Sequence, residues 1–211
     1  MGSAKDLIVK VIPSKVAVPF VKAHHYSGKV VNNSNLHFGV FYEGRLHGVM
    51  SFGPSLDKSK IQGLVDGTGW NEFIELNRMA FDDVLPRNSE SRAISIAMKL
   101  IRKNAPQIKW VISFADGCQC GDGTIYRASG FVLTGYSSGS MWQLPDYLVK
   151  INGGSVAHRM KAQDKCSALS RYILEETHGR TTYRSYHSVF QNRRNGRWNV
   201  QRGKGNASRK A

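Results

Sequence analysis

Acidic residues and long apolar runs are scarce in this chain of 211 residues. Asp and Glu number 15 against 30 Lys and Arg, which gives a formal net charge of +15. No run of 18 apolar residues occurs, so the sequence predicts no membrane-spanning helix. The N-terminal stretch MGSAKDLIVKVIP lacks the apolar core of a signal peptide. These absences favour a protein that acts in an aqueous compartment.

Cysteine is also rare, and the spacing of the cysteines indicates neither a disulfide framework nor a clear metal site. Cys118, Cys120 and Cys166 are odd in number, so they do not form a disulfide framework. This usage is typical of a reducing, cytosolic setting. A single Cys-x-Cys without a second pair of ligands is a weak signal for structural zinc.

The excess of basic residues indicates a polyanionic partner. Two alternatives are that the charge only maintains solubility, or that it attracts a membrane surface. The second would require a basic amphipathic helix, which we do not find. Residues 156–211 carry 13 Lys and Arg against 3 Asp and Glu. We therefore expect a catalytic domain over residues 1–155 and a basic, aromatic-containing extension over residues 156–211, partly packed on the domain, with its last ~9 residues disordered.

Basic and aromatic side chains alternate in that extension. Arginine suits phosphates, and aromatic rings can stack on an exposed base. The predicted DNA contacts are Arg184, Tyr186, Arg193, Arg194 and Arg197. The stretch TTYRSYHSVF within it can equally be an ordinary strand.

Periodicity and turn residues predict an α/β (α+β) fold for the rest of the chain. The expected elements are a strand at Leu7–Pro13, a helix near Val16–His25, a hairpin of His37–Tyr42 and Arg45–Phe52, a loop over Ser55–Gly69, a central strand at Phe73–Phe81, a helix from Asn88 or Ser89 to about Asn104, a strand at Trp110–Phe114, a short helix that ends at Gly130 and a strand from Phe131.

The start of the long helix is a candidate anion site. Free backbone N–H groups at a helix start attract phosphate. Arg87 and Arg92 bracket this start and can each add a bidentate contact. With Asn88, Ser89 and Ser91 they form the candidate cofactor-binding set. The alternative is a well-capped helix start with no ligand.

Two further places carry candidate catalytic residues. Asp116 and Ser113 belong to the end of a strand, where chemistry gathers in open α/β sheets. Tyr126 follows and either faces that strand end or packs in the core under Phe131. The loop HHYSG (His24–Gly28) follows a helix, as functional loops often do, or it is a surface loop with stray histidines.

Five segments together resemble known families. The order strand, helix, strand, helix and strand resembles the GNAT acyltransferase fold. ELNRM (Glu75–Met79), LPRNSESR (Leu85–Arg92), ISFAD (Ile112–Asp116) and GTIYRASGF (Gly123–Phe131), with HYSG (His25–Gly28), resemble the Mom family of bacteriophage DNA-modification enzymes. The likeness covers about His25 to Phe131. It implies a mixed, mostly antiparallel central sheet flanked by helices, with an acyl-CoA pyrophosphate at the start of the long helix.

One departure from ordinary GNAT proteins concerns that helix start. Their pyrophosphate loop is usually rich in glycine, whereas residues 87–92 here read RNSESR. Glu90 would lie close to any phosphate, or it would pair with Arg87 or Arg92. The donor implied by the resemblance is therefore acetyl-CoA or another activated donor.

The resemblance also implies an activity. The Mom reaction converts adenine in DNA to its carbamoylmethyl derivative on the exocyclic amine, which protects phage DNA from host restriction. The partner would be double-stranded DNA with a flipped adenine, and the location the host cytoplasm. By this analogy Asp116 moves the amine proton, Tyr126 protonates the leaving thiolate and Ser113 orients either one.

The product implied by the resemblance raises the question of a metal. Plain acetyl transfer places a carbonyl carbon on the amine, whereas this product has a methylene there. A methyl C–H bond must break or the skeleton must rearrange, and such chemistry usually needs a redox metal or another cofactor. The resemblance suggests iron, with His25, Tyr26 and Asp116 as nitrogen and oxygen ligands and with both His25 and Tyr26 also catalytic.

Two rival functions remain open from the sequence. The first is an ordinary acetyl-CoA-dependent GNAT enzyme that acts on a protein or small-molecule amine. The second is a DNA-binding module without catalysis, although no helix-turn-helix or zinc-finger pattern supports it.

Overall fold

A seven-stranded sheet organises the molecule. The computed structural model describes residues 3–116, 123–138, 141–143, 156–158 and 184–191. The strands of the sheet are β1 (Ile8–Val11), β2 (Leu36–Tyr42), β3 (Arg45–Gly53), β4 (Phe73–Phe81), β5 (Trp110–Asp116), β6 (Val132–Ser138) and β9 (Arg184–Gln191), in the order β1-β2-β3-β4-β5-β9-β6. A separate two-stranded sheet consists of β7 (Met141–Gln143) and β8 (Val156–His158). The helices are α1 (Ser14–His24), α2 (Lys58–Gln62), α3 (Ser89–Asn104) and α4 (Thr124–Ala128).

Antiparallel pairs dominate the large sheet, as predicted. Only β4 and β5 run parallel among the pairs of the described strands. The predicted hairpin of β2 and β3 forms about Glu43 and Gly44, whose φ angles of 49° and 80° match the right-handed strand twist. The parallel connection from β4 to β5 runs through α3, as such crossovers require.

Helices α1 and α3 cover opposite faces of the sheet. Successive side chains of a strand point to opposite faces. Ala93 and Ile94 of α3 share a core with Met50 and Leu76. On the other face, α1 buries side chains against the strand residues that alternate with those: Ala17 and Val21 contact Val49 and Ala80. We call these the α3 face and the α1 face.

The C-terminal part of the chain contributes to the same sheet. Strand β9 lies between β5 and β6 and pairs antiparallel with both. Residues 184–190 of the stretch TTYRSYHSVF thus belong to a strand, as one of its two interpretations predicts, and the DNA contacts proposed for it stay a prediction. The boundary proposed between residues 155 and 156 stays a prediction.

One local expectation was wrong, and one strand is longer than its apolar run predicts. The segment Ser55–Gly69, expected to be a loop, contains the short helix α2. This segment is tied to the sheet because the Trp110 indole donates to Thr68 Oγ1 at 3.0 Å. Strand β5 also continues two residues beyond Phe114, because pairing with β9 extends it to Asp116.

The structure does not test the predictions about cysteine. Cys118, Cys120 and Cys166 lie outside the described residues. Within the described part, no helix combines the length and the apolar character needed to cross a bilayer.

Candidate active site

Strands β4 and β5 pair over the first half of their length and then diverge. Their parallel pairing runs from Phe73↔Trp110 to Leu76↔Ser113 and ends there, although β4 continues to Phe81. The Ser113 hydroxyl is fully buried and donates to the Leu76 carbonyl at 3.4 Å, at the last paired position. Among the described strands, β5 pairs beyond this point with β9 alone. A gap therefore opens in the sheet between the two diverging strands.

The start of α3 lies on one side of this gap. Asn88 occupies the N-cap position with a left-handed φ of 69°, and its side chain makes no capping hydrogen bond. Asn88 is thus at the N-cap position, as predicted, but the expected capping hydrogen bond does not form. Within the described residues, the backbone N–H groups of Glu90 and Ser91 have no acceptor. An uncapped helix start with free N–H groups suits a phosphate.

The hydroxyls of this helix start are already engaged. Ser89 is fully buried and donates to the Pro86 carbonyl at 2.5 Å. Ser91 donates to the Asn88 carbonyl at 3.2 Å. The groups that remain for a ligand are backbone N–H groups and the exposed Arg87 and Arg92 side chains. Among the described side chains, Glu90 forms no ion pair with either arginine.

Two clefts flank the helix start. One, of about 320 Å³, separates it from α4 and is lined by Arg87, Asn88 and Ser91 together with Thr124 and Ile125. The other, of about 460 Å³, lies between the same residues and the N-terminal segment of Ser3, Ala4 and Lys5. The predicted cofactor-binding residues other than Ser89 thus share an accessible surface.

A second group of polar side chains occupies the α1 face. His25 follows α1, and its Nδ1 accepts a hydrogen bond from the Ser27 backbone N–H at 3.1 Å. Ser27 Oγ lies 2.8 Å from the same nitrogen. Because a backbone N–H can only donate, Nδ1 is the acceptor and the proton of the neutral ring lies on Nε2. Burial, and then the charge of Arg78, lower the pKa of His25 to about 4. At neutral pH this histidine is therefore an uncharged hydrogen-bond donor.

Arg78 lies at the centre of this group. Its Nε donates to the Lys29 carbonyl at 3.0 Å, and its Nη1 donates to the Asn77 carbonyl at 2.7 Å. Burial lowers the pKa of Arg78, and the neighbouring Tyr26 and Glu75 oppose that shift. The guanidinium is fixed between the loop after α1 and strand β4.

A bulge in β4 turns Arg78 toward the α1 face. Ser51 of β3 pairs with Arg78 and Phe52 pairs with Leu76, which leaves Asn77 without a partner on β3. The extra residue reverses the alternation of side chains beyond it. Without it, Arg78 would point into the core beneath α3.

Glu75 and Asn77 add buried polar groups beside Arg78. Burial raises the pKa of the Glu75 carboxyl, against the opposing effects of Ser55, Asn77 and Arg78. Asn77 Oδ1 accepts from Ser34 at 3.0 Å. Asn77 Nδ2 and Ser55 Oγ are buried and complete no hydrogen bond of good geometry within the described part. Such unsatisfied donors are uncommon in folded proteins and often mark a ligand or a catalytic role.

The predicted residues thus divide into two groups on opposite faces, at the gap between β4 and β5. The rings of His25 and Tyr26 contact each other on the α1 face, with centroids 4.3 Å apart and planes tilted by 30°. Tyr126 is buried on the α3 face and packs against Phe131 at 5.4 Å, which matches the core alternative.

For three other candidate residues the structure gives the backbone position but not the side chain. Asp116 ends β5 opposite Ser185, and Arg184 and Tyr186 belong to β9, but their side chains are outside the described part. Arg193, Arg194 and Arg197 lie outside the described residues.

Glu75, Asn77 and Arg78 were not selected as site residues from the sequence. A signal was present, since three polar residues interrupt an otherwise apolar central strand, FIELNRMAF. Buried polar groups in such a strand lower the stability of the fold unless they are hydrogen-bonded, so their presence indicates a site. The bulge that gives them a common face is not visible in the sequence.

Nothing in the described residues supports the iron hypothesis, and the side chain of Asp116, one of its three ligands, lies outside them. No group of three or more His, Cys, Asp or Glu able to hold a metal occurs among them. A metal at His25 Nε2 would displace the proton that the Ser27 hydrogen bond places there, and the Arg78 charge nearby disfavours a cation.

The fold matches that of a known structural class, the acetyltransferases. It is similar to that of the spermidine/spermine N-acetyltransferase from Vibrio cholerae, solved in complex with manganese ions. That likeness has a TM-score of 0.52 and 8% identity, and it covers 90% of this chain and 94% of the other. An acetyltransferase from Bacillus subtilis, solved with CoA, gives a TM-score of 0.51 and 9% identity over 88% of this chain and 98% of the other. The chain has the GNAT acetyltransferase fold, as predicted.

The sequence places the chain in one particular family. The family model described as the Mom protein family matches residues 6–202, and the chain belongs to that family. A methylcarbamoylase from Escherichia phage Mu is 42% identical over 142 residues, which make up 67% of this chain. The match spans 58% of the length of that curated relative. The resemblance inferred from the motifs is confirmed.

Proposed function

We propose that this protein is a transferase that modifies adenine in DNA. The product would carry a carbamoylmethyl group on the exocyclic amine and would protect phage DNA from restriction in the host cytoplasm. Membership of the Mom family, and the name methylcarbamoylase of the phage Mu relative, support this choice. The charge of +15 suits a DNA partner.

The observation that carries the proposal is the gap between β4 and β5. The uncapped start of α3 lies at the gap on the α3 face, and the His25–Arg78 group lies on the α1 face. In this proposal the donor, acetyl-CoA or another activated compound, binds its phosphates at Arg87, Arg92 and the N–H groups of α3. The reactive end of the donor reaches the adenine through the gap.

The chemistry assigned to the chain's own residues is proton handling and positioning. The exocyclic nitrogen of adenine forms a bond to the methylene carbon of a donor that carries a carbamoylmethyl group, the bond from that carbon to the leaving group breaks, and the nitrogen gives up one proton. Acetyl-CoA itself would place an acetyl group on this nitrogen, so the step requires the other activated donor. Asp116 is proposed to take that proton, and Tyr126 to protonate the leaving group. Ser113 is proposed to fix the point at which the two strands begin to diverge, since its hydroxyl bridges them there.

On the acceptor side, Tyr26 and His25 are proposed to contact the extruded base where it lies beside Arg78. Tyr26 is 43% exposed beside Arg78, so its ring can contact an extruded purine. His25 is proposed to donate from Nε2 and not to act as a base, because its low pKa makes it a weak proton acceptor.

Mass analysis of nucleosides from DNA of cells that express the protein tests the proposal. We expect an adenine nucleoside heavier by a carbamoylmethyl group, and its loss in Asp116→Asn. Unmodified adenine with active wild-type protein would overturn the proposal. Acetylation of a protein or small-molecule amine by the same preparation would then favour an ordinary GNAT enzyme.

A further inference from the structure

A separate cavity of about 390 Å³ opens on the α1 face, next to the His25–Arg78 group. It lies between α1, the loop that follows α1 and strands β2 to β4. Apolar walls come from Val18 and Val21 of the helix and from Val30 and Val31 of the loop. This volume lies within the range typical of sites for small organic ligands.

The floor of the cavity is a polar row across three strands. His37 of β2 is paired with Ser51 of β3, and Ser51 is paired with Arg78 of β4. His37 Nδ1 lies 2.9 Å from Ser51 Oγ, and both side chains are at least nine-tenths buried. Burial lowers the pKa of His37, so the ring is neutral at physiological pH. Because Nδ1 is engaged by Ser51, Nε2 is the ring nitrogen available to a ligand.

The remaining polar groups of the cavity are neutral or positive. Asn32 and Ser34 line it beside the loop valines, and Lys22 and Arg78 supply positive charge. None of the described residues that line it is acidic. The cavity thus combines apolar walls for a flat ring, neutral polar groups for its edge and two cations for an anionic group.

We propose that this cavity binds the adenine nucleotide that is extruded from DNA, with the base between the valines, its edge at His37 and Ser51, and its phosphate at Lys22 and Arg78. This inference rests on the function proposed above, to which it adds the acceptor site. Arg78 lines the cavity and also contacts the group around His25, so a base held here lies beside the reaction centre. The nucleotide part of CoA offers similar chemistry and must be distinguished by experiment.

Amide chemical-shift titrations with deoxyadenosine monophosphate and, separately, with CoA make that distinction. We expect the deoxynucleotide to shift the amides of Ser34, His37 and Ser51. We expect CoA to shift residues 87–92 and to leave those three unchanged. Shifts of the cavity residues by CoA alone, or no binding of the deoxynucleotide at millimolar concentration, would overturn the inference.

Two matched pairs of variants on α1 locate the binding. Val18 lines the cavity, and Val16 on the same helix does not. Val18→Trp fills the space and should weaken deoxynucleotide binding about tenfold or more, whereas Val16→Trp should leave it unchanged. Lys22→Ala should weaken binding by about two- to fivefold, and Lys15→Ala should not, since an exposed charge contributes modestly. Because Lys22 and Lys15 are both exposed, the second pair is informative even if the tryptophan variant folds poorly.

The same variants separate this inference from the proposed function. If wild-type protein and Val18→Trp modify DNA adenine equally, the cavity is not the acceptor site and the function stands. If the deoxynucleotide binds in the cavity but no modified base forms with the wild type, the cavity assignment stands and the function does not.

Discussion

The low pKa of His25 links the stability of the protein to pH. The folded-state pKa of about 4 lies below the ordinary 6.5, so a proton on His25 favours the unfolded chain. The neutral His25 ring contributes its full share of folding stability above about pH 6.5, and this contribution is lost as the pH falls toward 4. A difference of about 2.5 pKa units corresponds to about 3.4 kcal/mol. Since solvent reaches part of the ring, we expect about 2 kcal/mol from this residue.

His25→Gln removes the titrating group and should flatten this dependence. The measurement is the free energy of unfolding in urea at several pH values between 4 and 7. The wild type should lose about 2 kcal/mol more than His25→Gln across this window. His24→Gln is the matched control, because His24 is the preceding residue and its side chain is exposed. Its pH dependence should follow that of the wild type.

The cause of the shift can be tested separately. Arg78 contributes to the low pKa through its charge, after burial. In Arg78→Gln we therefore expect the His25 pKa, measured from the ring signals by NMR, to rise part of the way toward 6.5. A His25 ring that titrates near 6.5 in the wild type, or parallel pH profiles for the wild type and His25→Gln, would refute the reasoning.

Three further predictions concern other parts of the structure. Gly53→Ala should destabilise the protein by about 1–3 kcal/mol in thermal unfolding, because the added Cβ would lie 2.5 Å from a backbone oxygen of the loop after α1; unchanged stability would contradict this packing. Thr68→Val should cost about 1–3 kcal/mol in urea unfolding, because it removes the acceptor of the buried Trp110 N–H, and an effect below about 0.5 kcal/mol would argue against that hydrogen bond. Arg92→Gln should weaken CoA binding measured by calorimetry by about three- to tenfold, whereas Lys103→Gln at the other end of α3 should not; equal affinities would place the donor elsewhere.

Much of the architecture follows from local patterns. Alternating apolar residues and the Glu43-Gly44 turn predict the hairpin, because a strand has a period of two and a tight turn needs positive φ. The apolar spacing of residues 89–104 predicts α3, because a helix has a period of 3.6. The motifs in residues 25–131 identified the family. These features depend on neighbours in the sequence, so they can be predicted without knowing the fold.

Tertiary structure decided which residues share a site. The bulge at Asn77 brings Arg78 to the face of His25, and a shift of one residue in strand register cannot be read from composition. The place of β9 between β5 and β6 depends on pairing over a long sequence separation. The cavity above His37 and Ser51 likewise needs α1, its following loop and three strands together. The sequence therefore determined the elements and the family, whereas long-range pairing and packing decided the geometry of the site, because contacts between distant segments leave no local pattern.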